Sequence, residues 1–170
     1  MILNLTSRLL KHKAAPGIFG LIAAVLVLRC LWLWQPSRQV QLHQEHFLDA
    51  AQERNWKRFS LLVSPQYSDR WHHDKTSLLN ESSEVLRQFF GLTIKRDLVD
   101  RSVNADHAKV TMRLKLEGKG TAIAEIASSS INALTQPFSF EWKRQSWKPW
   151  DWVLVSADQP ELHLDQTEGF

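Results

Sequence analysis

Residues 137–158 read PFSFEWKRQSWKPWDWVLVSAD. Four of the chain's eight tryptophans fall in this run, at Trp142, Trp147, Trp150 and Trp152. Phe138, Phe140 and Trp142 recur at period two, as do Trp150, Trp152 and Leu154. That period places each set on one face of a strand, so the run predicts two antiparallel strands joined by a short loop, with both sets suited to a core. Trp147 sits in the loop beside Lys143, Arg144 and Lys148. It either folds back over the core or stands out as the anchor of an interaction surface.

Upstream of the hairpin the same period continues. In residues 109–117, Val110, Met112, Leu114 and Leu116 alternate with Thr111, Arg113, Lys115 and Glu117. One face is apolar and the other wet, the pattern of an antiparallel sheet. Residues 93–103 read as a preceding strand, joined through the turn at 104–107, and Gly118-Lys119-Gly120 reads as a turn. Residues 121–134 carry Ile123, Ile126, Ala127, Ile131 and Leu134 at helical spacing, which predicts a short inserted helix. The serines at 128–130 favour neither state, so a strand there remains the alternative.

Before residue 92 the spacing is helical. Residues 40–54 form a stripe through Phe47, Leu48 and Ala51, and residues 56–63 another through Trp56, Phe59, Leu62 and Val63. Ser64-Pro65 stops the second helix, because proline cannot donate into it. Asp74 is placed to cap a third helix over residues 75–90, with Gly91 as its end. Helices followed by antiparallel strands make an α+β domain.

The basic character of the chain lies elsewhere. Its net charge is +3, yet residues 1–35 hold four of the 21 basic side chains and no acid, leaving 17 basic against 18 acidic residues from Pro36 onward. A near-neutral domain lacks the basic footprint of a nucleic-acid binder, so no nucleic-acid partner is expected. Residues 14–34 are apolar except for Arg29 and end in Trp32 and Trp34. As a helix that run would span about 31 Å, enough to cross a bilayer core of about 30 Å. A cleaved signal peptide is the rival reading, but no small-x-small site precedes Gln35. The chain therefore divides into a basic leader (1–13), a transmembrane anchor (14–35), a domain (36–158) and a loose polar tail (159–170). The positive-inside rule puts the leader in the cytoplasm and the domain outside it, in the periplasm if the cell is bacterial. The single Cys30, inside the apolar run, allows no intrachain disulfide.

Three stretches carry a family resemblance: FLDAAQERNWKRFSLLVSPQYSDRW (47–71), ADHAKVTMRLKLEG (105–118) and the hairpin itself. They resemble the opening helices, central strand and closing strands of the nuclear transport factor 2-like superfamily, also called SnoaL-like. The resemblance implies a cone, a curved antiparallel sheet wrapped round a pocket that the helices close. Members include isomerases, dehydratases, cyclases and hydrolases, and many that only bind ligands or proteins, so the fold leaves the function open.

Acid–base chemistry in such a cone would need ionisable groups on the pocket face. If Leu98 faces Met112, then Ile94, Arg96, Leu98 and Asp100 share that face; a one-residue slip sends them to solvent. Arg96 and Asp100 are therefore candidate ligand-binding residues. The resemblance implies that the segment of Tyr67, Trp71, His72 and His73 approaches the pocket rim. That adds Tyr67 and Trp71 to the ligand-binding candidates and makes Asp100, Tyr67 and His72 the candidate catalytic set, a tyrosine to donate and a histidine to move a proton. His43, His46 and Asp49 share a helix face but would need a further ligand such as His72 or His73, so no metal is expected, and no cofactor motif is present. The leading expectation is a membrane-anchored extracytoplasmic domain that binds a protein partner or a small apolar ligand without catalysis. The alternatives are a pocket enzyme of isomerase or dehydratase type and a homodimer pairing through the outer sheet face.

Overall fold

The structure, a computed structural model, describes residues 20–30, 32 and 34–162. The leader, the first six residues of the expected anchor, Leu31, Leu33 and tail residues 163–170 lie outside these. Residues 20–30 are helical and exposed, and among the described residues no helix is long and apolar enough to cross a membrane.

The domain starts with α1 (Pro36–Gln52), whose proline occupies a first-turn position where a missing N–H costs nothing. Its buried stripe is Val40, Gln44, Phe47, Leu48 and Ala51. Phe47 stacks on Phe59 of α2 (Trp56–Leu62) at 4.5 Å between centroids and meets Phe140 and Trp142 edge-on. Asn55 caps α2 by accepting the Arg58 N–H at 3.1 Å. Asp74 likewise accepts the Ser77 N–H at 2.8 Å and opens α3 (Lys75–Leu86), as its position predicts.

Four antiparallel strands follow in spatial order: β1 (Phe89–Asn104), β2 (His107–Gly120), β3 (Phe138–Arg144) and β4 (Trp152–Asp158). The predicted helix α4 (Ala122–Ala133) lies between β2 and β3. The outer edge of β4 is covered by the segment after α2: Ser64 N–H donates to Leu154 O at 2.9 Å and Ser68 N–H to Val155 O at 3.1 Å. That contact satisfies an edge that would otherwise invite strand addition.

Two expectations fail at the start of the sheet. Helix α3 stops at Leu86, and Phe89, Phe90 and Gly91 already belong to β1. Burying Phe89 beneath the sheet end decides this, since the phenylalanines fit either period. Gly118-Lys119-Gly120 is not a turn but the end of β2, paired with Leu92, Gly91 and Phe89. A methyl group on Gly118 would collide with the Gly91 carbonyl, so glycine serves here for close backbone approach. Gly118→Ala is expected to cost about 1–3 kcal/mol or more in chemical denaturation.

The tail boundary also moves. Gln159 is buried; its side chain donates to Gln136 O at 3.0 Å and accepts the Glu161 and Leu162 amides at 2.6 and 2.7 Å. Trp71 Nε1 donates to Leu162 O at 2.9 Å, so residues 159–162 are tied to the domain.

Two of the three residues weighed as metal ligands, His43 and Asp49, have other partners. His43 donates Nδ1–H to Gln39 O at 2.8 Å and meets the Trp142 ring edge-on, while Asp49 pairs with Arg96. Burial lowers the His43 pKa. The unfolded chain then binds a proton that the folded chain resists. The stability His43 contributes is present above its ordinary value near 6.5 and is lost as pH falls toward the depressed folded value. His43→Gln is expected to flatten the fall in stability between about pH 7 and pH 5, read from urea midpoints.

Candidate functional site

The concave sheet face, α1, α2 and the two later helices line an open-mouthed cavity of about 470 Å³. Its floor is Ile94, Leu114, Leu116 and Phe140, and its roof is Leu78 and Val85 of α3 with Ala127 and Ile131 of α4. A volume of this size suits a small ligand, for which about 300–1,000 Å³ is usual.

The roof is fastened lightly. No residue of α3 is buried. Helix α4 is pinned where β2 has outrun β3, since β3 pairs with residues 107–112 only. There Asn132 acts as a substitute strand partner, accepting the Leu116 N–H at 2.8 Å and donating to Leu116 O at 2.9 Å. Asn132→Ala is expected to cost about 1–2 kcal/mol and to raise amide exchange in α4 ahead of the sheet.

Polar groups gather at one end of the cavity. Residues 67–73 turn at Asp69–His72, where the His72 N–H donates to Asp69 O at 3.2 Å, and Tyr67, Asp69, Trp71 and His73 line the cavity. The buried Asp69 carboxylate accepts four hydrogen bonds. Tyr67 Oη donates to Oδ2 at 3.1 Å, the Trp71 and His73 amides donate to Oδ1 at 3.0 and 2.9 Å, and His73 Nδ1 lies 3.1 Å from Oδ2. The other His73 nitrogen lies 3.0 Å from Glu81 Oε2 on α3. Burial first, then the neighbouring Asp69 charge and the bond to it, push the Tyr67 phenol well above its ordinary range. Tyr67 is therefore held as a donor.

Of the residues chosen from sequence, Tyr67 and Trp71 line this cavity, while Arg96, Asp100 and His72 do not. The register expected between β1 and β2 is present, with Leu98 opposite Met112. Beyond it, however, Val99 is an extra residue and Asp100 pairs with Thr111. That bulge turns Asp100 away from the Met112 face and into solvent. Arg96 reaches sideways to α1, donating to Asp49 Oδ1 at 2.5 Å and Glu45 O at 3.2 Å. His72, with φ 64°, faces solvent, and its neighbour His73 takes the inward place. Asp69 and Glu81 were missed, and His73, weighed beside His72, was left out of the catalytic set. Alternation counted from Tyr67 selects Asp69 and His73, whereas nothing local marks Glu81. Among the described residues no group of three or more His, Cys, Asp or Glu side chains is placed to hold a metal ion.

No family model matches the chain, and no curated protein is similar to it in sequence. Solved structures do match. A conserved protein from Planctomyces limnophilus superposes with a TM-score of 0.55 at 12% identity, covering 71% of this chain and 91% of that one. A protein of the nuclear transport factor 2-like family from Streptomyces avermitilis, provisionally named a dehydratase, gives 0.54 at 17% identity over 72% and 93%. The fold is nuclear transport factor 2-like. Bd1075 of Bdellovibrio bacteriovorus also matches, with a TM-score of 0.55 at 5% identity over 71% of this chain, which spans 38% of that protein's length. At these identities the likeness concerns the fold alone. In this nuclear transport factor 2-like cone, the helices close the pocket and the closing hairpin supplies its Phe138, Phe140 and Leu154 wall.

Trp147 stands outside the cone, 83% exposed, with Lys143 and Lys148 also exposed. Arg144 lies partly covered, its guanidinium 5.8 Å from the Trp152 ring centroid.

Proposed function

We propose that this domain holds a small, largely apolar molecule in its cone, outside the cytoplasm and tethered to a membrane by residues 14–35. The observation that carries the reading is the cavity of about 470 Å³, walled mostly by aliphatic and phenyl groups, with its ionisable side chains gathered in the one cluster around Asp69 and His73. A ligand with an apolar body and one polar tip fits that distribution, since apolar burial supplies affinity and the tip sets orientation. Holding is favoured over conversion because the ionisable groups are already engaged with one another. Asp69 is filled by four donors, Tyr67 is committed to Asp69, and both His73 nitrogens face carboxylates. Hydropathy of residues 14–35 and the exposed apolar side chains at 21–28 support the tether.

A second reading, proton transfer in the cone, is favoured by one observation. Glu81 is half-exposed on the lightly held α3, so its departure would free His73 Nε2 while Asp69 still holds Nδ1. That pair is the arrangement a general base needs. The two readings part in one experiment. Organic extraction of the purified full chain, followed by mass spectrometry, is expected to release one apolar species in stoichiometric amount, unchanged after prolonged incubation with the protein. Its conversion to a second species, lost in His73→Gln, would establish catalysis instead. An empty extract together with no uptake of an apolar fluorophore contradicts both.

A further inference from the structure

The end of the molecule opposite α4 carries a surface that the cavity does not use. Four indoles stand out there, Trp32 at 47%, Trp34 at 54%, Trp150 at 50% and Trp147 at 83% exposure. They come from two distant segments joined by a Trp34–Trp150 contact at 6.4 Å between centroids. The loop that presents Trp147 is built rather than slack. Gln145 N–H donates to Asp151 O at 2.8 Å, and Trp152 Nε1 donates to Pro149 O at 2.9 Å. Those bonds bury Trp152 beneath the loop and leave Trp147 no place in the core.

Cations frame the indoles. The Arg38 guanidinium sits 4.8 Å from the Trp32 ring centroid, and Lys143, Lys148 and the partly covered Arg144 flank Trp147. The acids at this end are Asp151, Glu141, which lies on β3 two residues before Lys143, and Asp106, 3.7 Å from His107 Nε2. The balance is positive. The same end is the point where the N-terminal helix departs, and its Leu21, Ile22, Val25, Leu26, Val27 and Leu28 are all exposed. An apolar stretch bare on every side and running into a ring of indoles calls for a solvent that is itself apolar beyond a polar boundary. A protein partner with one complementary patch would cover only part of it.

We propose that this end lies on an anionic lipid surface, with Trp147 and Trp150 seated among the headgroups and Lys143 and Lys148 facing lipid phosphates. Indoles prefer that boundary because the ring is apolar and the N–H is wet. Basic side chains add attraction to anionic lipid of about 1 kcal/mol each. The cone axis then stands away from the membrane and the α3–α4 roof faces the aqueous phase. The inference rests on the tether of the proposed function for its direction of approach, and the test separates the two.

Full-length chain carrying C30S is given one environment-sensitive nitrobenzoxadiazole label at S146C, V25C or I126C and reconstituted with vesicles of phosphatidylcholine and phosphatidylglycerol in equal parts. The S146C label is expected to shift its emission to the blue and to be quenched by nitroxide headgroup lipid, while I126C stays in water. K143E/K148E is expected to lose most of that quenching, as are vesicles of phosphatidylcholine alone. A buried V25C label beside a water-exposed S146C label overturns the proposal and leaves the indoles as a protein-docking surface. A quenched S146C label beside a water-exposed V25C label upholds it and removes the tether instead.

Discussion

Asp69→Ala is expected to lower stability by about 3–5 kcal/mol, the range for removing one partner of a buried charged network. The carboxylate is almost wholly enclosed and its two oxygens accept four hydrogen bonds. Alanine would leave the Tyr67 hydroxyl and two amides without acceptors in a site too enclosed for water to replace them all. Asp69→Asn separates the contributions. Its carbonyl oxygen can still accept the Trp71 and His73 amides, while its NH2 cannot accept from the Tyr67 hydroxyl and can only donate to it. A loss of about 1–2 kcal/mol is expected, from urea unfolding monitored by tryptophan fluorescence. If Asp69→Ala unfolds at the wild-type midpoint, the cluster is not a structural node and its mutual engagement no longer argues against catalysis.

Trp142→Ala is expected to be as damaging, about 3–5 kcal/mol. The indole is fully buried between Phe47 and His43, and its Nε1 donates to Gln44 Oε1 at 2.8 Å. Gln44 in turn donates to Met112 Sδ at 3.6 Å, which ties α1 to both β2 and β3. Trp142→Phe keeps most of the ring volume and strands only the Gln44 oxygen, so about 1–2 kcal/mol is expected. Equal losses for the two variants would show that the hydrogen bond, rather than packing, holds α1 on the sheet.

These two residues mark how far the sequence could be read. Trp142 belongs to an alternation of period two, and such patterns survive folding because one buried face fixes the register. The same reason made the strand around residues 109–117 and the closing hairpin legible, and the cap at Asp74 is local chemistry. Asp69 was hidden because its role comes from a turn outside any helix or strand, in which its carboxylate gathers the Trp71 and His73 amides. Asp100 was misplaced by one inserted residue, Val99, which no hydrophobic pattern announces. The helix expected through Phe90 failed because Phe89 and Phe90 suit both periods, and burial of Phe89 beneath the sheet end selects the strand. Glu81 reaches the site solely through the placing of α3 over the cone, a tertiary fact with no local signature. Trp147 left two readings in sequence, and the loop hydrogen bonds select the exposed one.

The cavity is the centre of the functional reading, and a titration with N-phenyl-1-naphthylamine tests it most directly. The wild-type full chain is expected to take up one equivalent with a blue-shifted, saturable rise in emission. Ala127→Trp, which sends an indole from the roof into the cavity, is expected to abolish that uptake while leaving the unfolding midpoint near wild type. Saturable uptake that is unchanged in Ala127→Trp would place the ligand elsewhere and contradict the account.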